Sequence, residues 1–229
     1  MINKEALIYA VLAALLMGYV FSLEKITFNY FLISSLMALV ILVVNLGAKK
    51  LSASLFDCNI SFNLWTIKQF WFTKGAHFKK PFPMWVVFPL ILGWATLGTV
   101  KWVAVTVFDA SPSPVALRRR YSEISEWELA LIAVSGPFAN IVLALILQAF
   151  NLHEFAMFSA LFAVLSLVPF GQLDGTKVLF GSRMLWIFSI LLALIIYILL
   201  GITNITATVI AAVLTALIAV VLYYFFCEK

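Results

Sequence analysis

Long apolar runs separated by short polar punctuation dominate this chain, and the runs show no preferred helical face. A soluble amphipathic helix keeps a polar face, so uniformly apolar runs of about 20 residues predict helices that cross a bilayer. The pattern predicts six of them, over residues 6–22, 28–47, 127–150, 155–170, 184–201 and 205–226. No run shows the roughly ten-residue alternation of a membrane barrel. A seventh run, 84–108, follows Pro81 and Pro83 and contains Pro89, Gly93, Gly98 and Lys101, residues that suit a re-entrant or interfacial segment better than a clean crossing. Between helices two and three lies a basic and aromatic stretch, 49–83, expected on the cytoplasmic side. The fold class expected is therefore all-α, a polytopic membrane helical bundle forming a single membrane domain over 1–229. Ser22-Leu23-Glu24-Lys25-Ile26 lacks a small-x-small cleavage site and a second run follows at once, so the first run is expected to be a retained helix, not a signal peptide.

Composition agrees with this pattern. Hydrophobic residues make up 65% of the 229 and charged residues 11%, with a mean hydropathy of +1.11, which excludes an ordinary soluble domain. Charge then orients the bundle. Lys49, Lys50, Lys68, Lys74, Lys79 and Lys80, the triplet Arg118-Arg119-Arg120, Lys177 and Arg183 share one side if 84–108 does not cross, and the positive-inside rule makes that side cytoplasmic, together with both termini. Phe62, Trp65, Phe70, Trp71, Phe72 and Phe78, interleaved with lysines, suit the headgroup layer, so the net charge of +5 is assigned to lipid and not to nucleic acid. Cys58 and Cys227 fall on the reducing side and are expected to be free thiols. Ser125, followed by Glu126 and Glu128, is a candidate helix cap.

The chemistry concentrates at the end of an apolar run, in Pro169-Phe170-Gly171-Gln172-Leu173-Asp174-Gly175-Thr176-Lys177-Val178. A carboxylate at such a position is costly without a cation, a metal or water, so Asp174 is a functional lead. Upstream stands Ser135-Gly136-Pro137-Phe138-Ala139-Asn140. Together these two segments resemble the paired signatures of the site-2 protease family, the intramembrane zinc metalloproteases of peptidase M50 type. One departure is Gln172, where a proline is common; another is Ser166, at the place of an asparagine. The resemblance covers the second to the fourth helix and implies Asp174 as a zinc ligand. It also implies a His-Glu-x-x-His motif on the second helix, where residues four apart share a face and grip one metal while the Glu acts as base. The matching stretch here is Asn45-Leu46-Gly47-Ala48-Lys49-Lys50-Leu51, with Asn45 and Lys49 at the ligand positions and Leu46 at the base. His77 and His153 are expected on opposite sides of the membrane and do not rebuild the set. No catalytic residue, metal or cofactor is therefore expected, zinc entering only if an unrecognised ligand set exists.

Several readings stay open at this stage. Lys49 either pairs with Asp174, its ammonium replacing the metal's charge, or snorkels to the interface while Asp174 meets water or backbone amides. Gly136, Pro137 and Asn140 serve packing, with Pro137 expected in a first helical turn, or they hold an extended peptide as the resemblance implies. Pro169 and Gly171 break the fourth helix and Gly175 lets the chain turn after the acid. Three functions compete: a catalytically inactive site-2-protease-like protein that binds or scaffolds transmembrane segments of other proteins, an active intramembrane metalloendopeptidase with a non-standard metal site, and a transport or complex subunit in which Lys49 and Asp174 line a polar path.

Overall fold

A computed structural model describes residues 4–23, 25, 27–69, 77–113 and 123–227. Among these the chain forms eight helices: α1 (Lys4–Ser22), α2 (Phe28–Leu55), α3 (Met84–Ala95), α4 (Glu126–Ala149), α5 (His153–Ser166), α6 (Asp174–Gly181), α7 (Arg183–Leu199) and α8 (Ile205–Cys227). Four short strands, β1 (Cys58–Leu64), β2 (Ile67–Gln69), β3 (His77–Phe82) and β4 (Thr106–Pro112), make two two-stranded sheets, β1 with β4 and β2 with β3. The expected helical character is present, and the two small sheets add to it strand structure that an all-α reading does not include. Their cause is legible in retrospect: Cys58, Ile60, Phe62 and Leu64 alternate with Asn59, Ser61 and Asn63, the period-two pattern of a strand. Much of the stretch 49–83 is thus ordered backbone, beginning with the end of α2 and continuing through β1 to β3. The Arg118–Arg120 triplet lies outside the described residues.

Among the described residues three helices are long and apolar enough to cross a membrane: Phe28–Leu55, Glu126–Ala149 and Ile205–Phe225. The other three expected crossings are shorter, α1 with 19 residues reaching about 29 Å. α5, with 14 residues, reaches about 21 Å, and α7, with 17, about 26 Å, against a hydrocarbon thickness of about 30 Å. α3, at 12 residues, extends only about 18 Å, and the chain after it passes through turns into β4. Boundaries also move. α2 continues to Leu55, eight residues past its predicted end, because Ser52, Ala53 and Ser54 do not break a helix that is already propagating. α5 stops at Ser166, where the chain turns before Pro169.

The chain divides into two compact units. The first comprises residues 1–40 and 62–108. In it Gly18 of α1 lies directly against Ser35 of α2, an approach that leaves no room for a Cβ. α1 also packs on α3, where the Trp94 indole N–H donates to the Tyr19 hydroxyl at 3.3 Å. Trp65 is fully buried between Phe88 and Trp102, and its backbone N–H donates to the Val105 carbonyl. The Lys101 ammonium sits 4.5 Å from the centre of the Phe21 ring, an aromatic and basic pairing suited to headgroup depth.

The second unit comprises residues 41–61 and 109–229, with α4 at its centre, packed on α5, α6, α7 and α8. Ser125 caps α4 in a full capping box: its side chain accepts from the Glu128 N–H, and the Glu128 carboxylate accepts from the Ser125 N–H. α8 turns Thr208, Ala212 and Ala216, spaced at four, into the packing against α7, while Ile210, Leu214, Leu217, Ile218, Leu222 and Phe225 stay exposed. Small residues inside and large apolar ones outside is the arrangement of a helix whose outer solvent is lipid.

Candidate functional site

The site is built from three helices of the second unit. α2 contributes Asn45 and Lys49, which lie on one face because they are four residues apart. α4 contributes Gly136 and Asn140 by the same spacing. α6 contributes Asp174 in its first turn, after Leu173 at the cap position in extended backbone. The loop before α6 is shaped by Gly171, in the left-handed region at φ 58°, and by a Phe170 carbonyl that accepts from the Leu173 N–H. Gly175 presses against the Leu167 carbonyl so closely that a Cβ there would overlap the backbone. The start of α6 is thereby fixed against the end of α5. The Trp186 indole of α7 adds a 2.9 Å hydrogen bond to the same Leu167 carbonyl.

Lys49 Nζ donates to Asp174 Oδ2 at 2.6 Å, with side chains only 2% and 3% exposed. Of the two readings open for Lys49, the structure shows the ion pair. Gly136 makes it geometrically feasible. A Cβ on that residue would stand 2.5 Å from Lys49 Cε and 2.6 Å from Asn45 Nδ2, so the bare backbone of α4 lets both α2 side chains pass toward α6. Asn45 and Asn140 are fully buried, and neither carboxamide has a hydrogen-bond partner among the described residues; Asp174 Oδ1 and Thr176 Oγ1 share that condition. The Asn140 backbone carbonyl is separately engaged by the Ser159 hydroxyl of α5, which holds the two helices in register.

Lys177, three residues after Asp174 on α6, is the member of this neighbourhood that sequence reasoning did not assign to the site. α6 has eight residues, about 12 Å, too short to span a bilayer. Burial pushes the Lys177 amine down to about 8; Asp174 opposes that shift, Lys49 adds to it, and Asp109 opposes it. The signal available in the sequence was its i, i+3 spacing from the acid.

Other predicted residues fall elsewhere. Pro169 and Gly171 are exposed on the loop and do not join the buried cluster. Pro137 is not in a first turn; it lies in the interior of α4, eleven residues after Glu126, and is buried. Its ring removes the hydrogen bond to the Ala133 carbonyl, and long flanking helix on both sides tolerates that local loss. Leu46 on α2 is half-buried. Ser166, at the end of α5, donates to the Ala163 carbonyl. His153 is the first residue of α5, exposed, with its ring on the Gln148 amide at 3.0 Å, and His77 opens β3. Cys58 is a buried free thiol whose Sγ donates to the Phe56 carbonyl at 3.2 Å, and the Cys227 side chain lies outside the described residues.

No protein-family model, curated protein or solved structure matches this chain.

The donors near Asp174 do not fit zinc. A catalytic zinc takes three nitrogen, sulfur or carboxylate ligands, whereas here one carboxylate is held by an ammonium, and the Asn45 group beside the Lys49 stem is a neutral carboxamide. The ammonium and a dication would compete for the same oxygen. Among the described residues no three His, Cys, Asp or Glu side chains come together in a group able to hold a metal.

Proposed function

We propose that this chain is a catalytically inactive, site-2-protease-like integral membrane protein that binds or scaffolds transmembrane segments of other proteins. The observation that carries the reading is the 2.6 Å contact between Lys49 Nζ and Asp174 Oδ2. On the resemblance drawn from Gly136, Asn140 and Leu173-Asp174-Gly175, those two residues stand where a ligand of a metal and its carboxylate partner would stand. An ammonium in that place supplies positive charge to the carboxylate but has no vacant orbital, so it does not coordinate a peptide carbonyl or a water as a Lewis acid does. On that reading the hydrolytic half of such a site is lost. The close approach of α2 side chains to α4 at Gly136, with three long apolar helices among the described residues, supports a role exercised by association inside the bilayer.

Metal analysis and a cleavage assay test this together. The purified protein, washed of loosely bound ions, is expected to carry far less than one zinc per chain and to leave membrane-embedded peptide substrates intact with and without chelator. About one zinc per chain with chelator-sensitive cleavage would establish the active-protease alternative instead.

A further inference from the structure

We infer that the Lys49–Asp174 pocket is a buried hydration site in which ordered water bridges Asn45, Asn140 and the second oxygen of Asp174. The inference rests on the ion-pair reading of the same pocket and is independent of any relation to proteases. Six buried polar atoms, the two amide atoms of Asn45, the two of Asn140, Asp174 Oδ1 and Thr176 Oγ1, have no partner among the described residues. The first five belong to one neighbourhood; Thr176, two positions from Asp174 on α6, stands on another face. The Asn45 amide and the Lys49 stem both meet the backbone of α4 at Gly136, Asn140 follows one turn later on the same face, and Lys49 leads to Asp174. Buried polar groups in native proteins nearly always find a partner, and a cluster of unpaired ones is explained by what fills the space between them.

The chemistry of the atoms selects the occupant. Each carboxamide presents a donor and an acceptor, so the occupant must both accept and donate; Asp174 Oδ1, ionised in the pair, only accepts. The occupant must also be neutral. A cation would meet the Lys49 ammonium, which already holds the other carboxylate oxygen at 2.6 Å, and an anion would meet Oδ1. Water is the smallest molecule with this balance. Near-complete burial of Asn45, Lys49, Asn140 and Asp174 makes it internal water, held in place and not part of a continuous aqueous path. This separates the pocket from the polar conduit of a transporter.

A map of the unmodified full chain in lipid, at a resolution that shows ordered water, is expected to contain density within hydrogen-bond distance of the Asn45 and Asn140 amides. Side chains closed on one another with no density between them would overturn the inference. Stability gives a second readout. If water bridges the amides, Asn45→Leu and Asn140→Leu each lower the melting temperature, and the double variant loses less than the sum of the two, because the second substitution removes a group already short of its bridge. Single variants that melt at or above the parent temperature show that the amides were dry and overturn it. So does a parent melting temperature that rises with sodium chloride but not with choline chloride, which identifies a cation instead. Lys49→Met reads the ion pair separately: a stability loss there, with dry amides, removes the hydration site and leaves the pair standing.

Discussion

A lysine and an aspartate, each nearly inaccessible, are held together where separation would leave either one as an uncompensated charge. The desolvation cost of each ion is several kcal/mol, so the pair's net contribution is small compared with the cost of breaking it. Lys49→Met alone is therefore expected to destabilise by about 3–5 kcal/mol, and adding Asp174→Leu should restore most of that loss in chemical unfolding. Lys177 adds a pH dependence. Its folded value of about 8 lies below the ordinary 10.5, mainly through burial, with Asp174, Lys49 and Asp109 as the charges facing it. Between those values the unfolded chain binds the proton more tightly, so this group makes stability rise as pH increases from 8 to 10.5; below 8 its cost is at full size. The stability of the parent relative to Lys177→Met is expected to climb across that window. A difference independent of pH would disprove the linkage. At this scale Asp174 and Lys49 were legible in the sequence because charge inside an apolar run is expensive wherever it falls. The exposure of Asn45 and Asn140 to one another's surroundings was not, since an asparagine in a helix is equally at home in packing.

Two glycines decide the close contacts around the site, Gly136 where the α2 side chains pass α4 and Gly175 where α6 meets the end of α5. At Gly175 a methyl would overlap the Leu167 backbone, which cannot move without displacing the end of α5. At Gly136 it would meet the ends of the Asn45 and Lys49 side chains, which can shift. Gly175→Ala is thus expected to be the more destabilising change, at least in the range of about 1–3 kcal/mol usual for overpacking. Gly136→Ala should cost less, because a gain of about 1 kcal/mol in helix propensity offsets part of the strain. Equal melting temperatures for the two variants would contradict this account of the packing. Most long helices were legible as apolar runs, and the α4 cap as Ser125 with Glu128. Tryptophan, phenylalanine and lysine give 49–83 an interfacial composition that hides the β1 alternation at 58–64, while β4 (Thr106–Pro112) begins within the end of the apolar run 84–108. Pro137 was misplaced for a related reason: a proline suggests a first turn by propensity, and tertiary packing of α4 overrides it.

For the whole molecule, three long apolar helices and exposed apolar side chains on α8 fit a lipid environment. From the positive-inside rule we propose that both termini lie on the cytoplasmic side. A fluorescent reporter fused after Lys229 is expected to be fluorescent in cells, and a periplasm-type enzymatic reporter at the same point inactive; the reverse pair of results would invert the topology. What the sequence by itself determined is the solvent and the cost: apolar runs of this length belong to a bilayer, and an acid within that setting must have a compensating partner. The identity of that partner was decided only in three dimensions. Lys49 and Asp174 are separated by 125 positions in the chain, and their meeting depends on a bare Gly136 backbone, the Leu167–Gly175 contact and the crossing of α2 with α4 and α6. Local sequence sets which side chains need partners, while distances between remote segments follow from packing, which no single segment encodes.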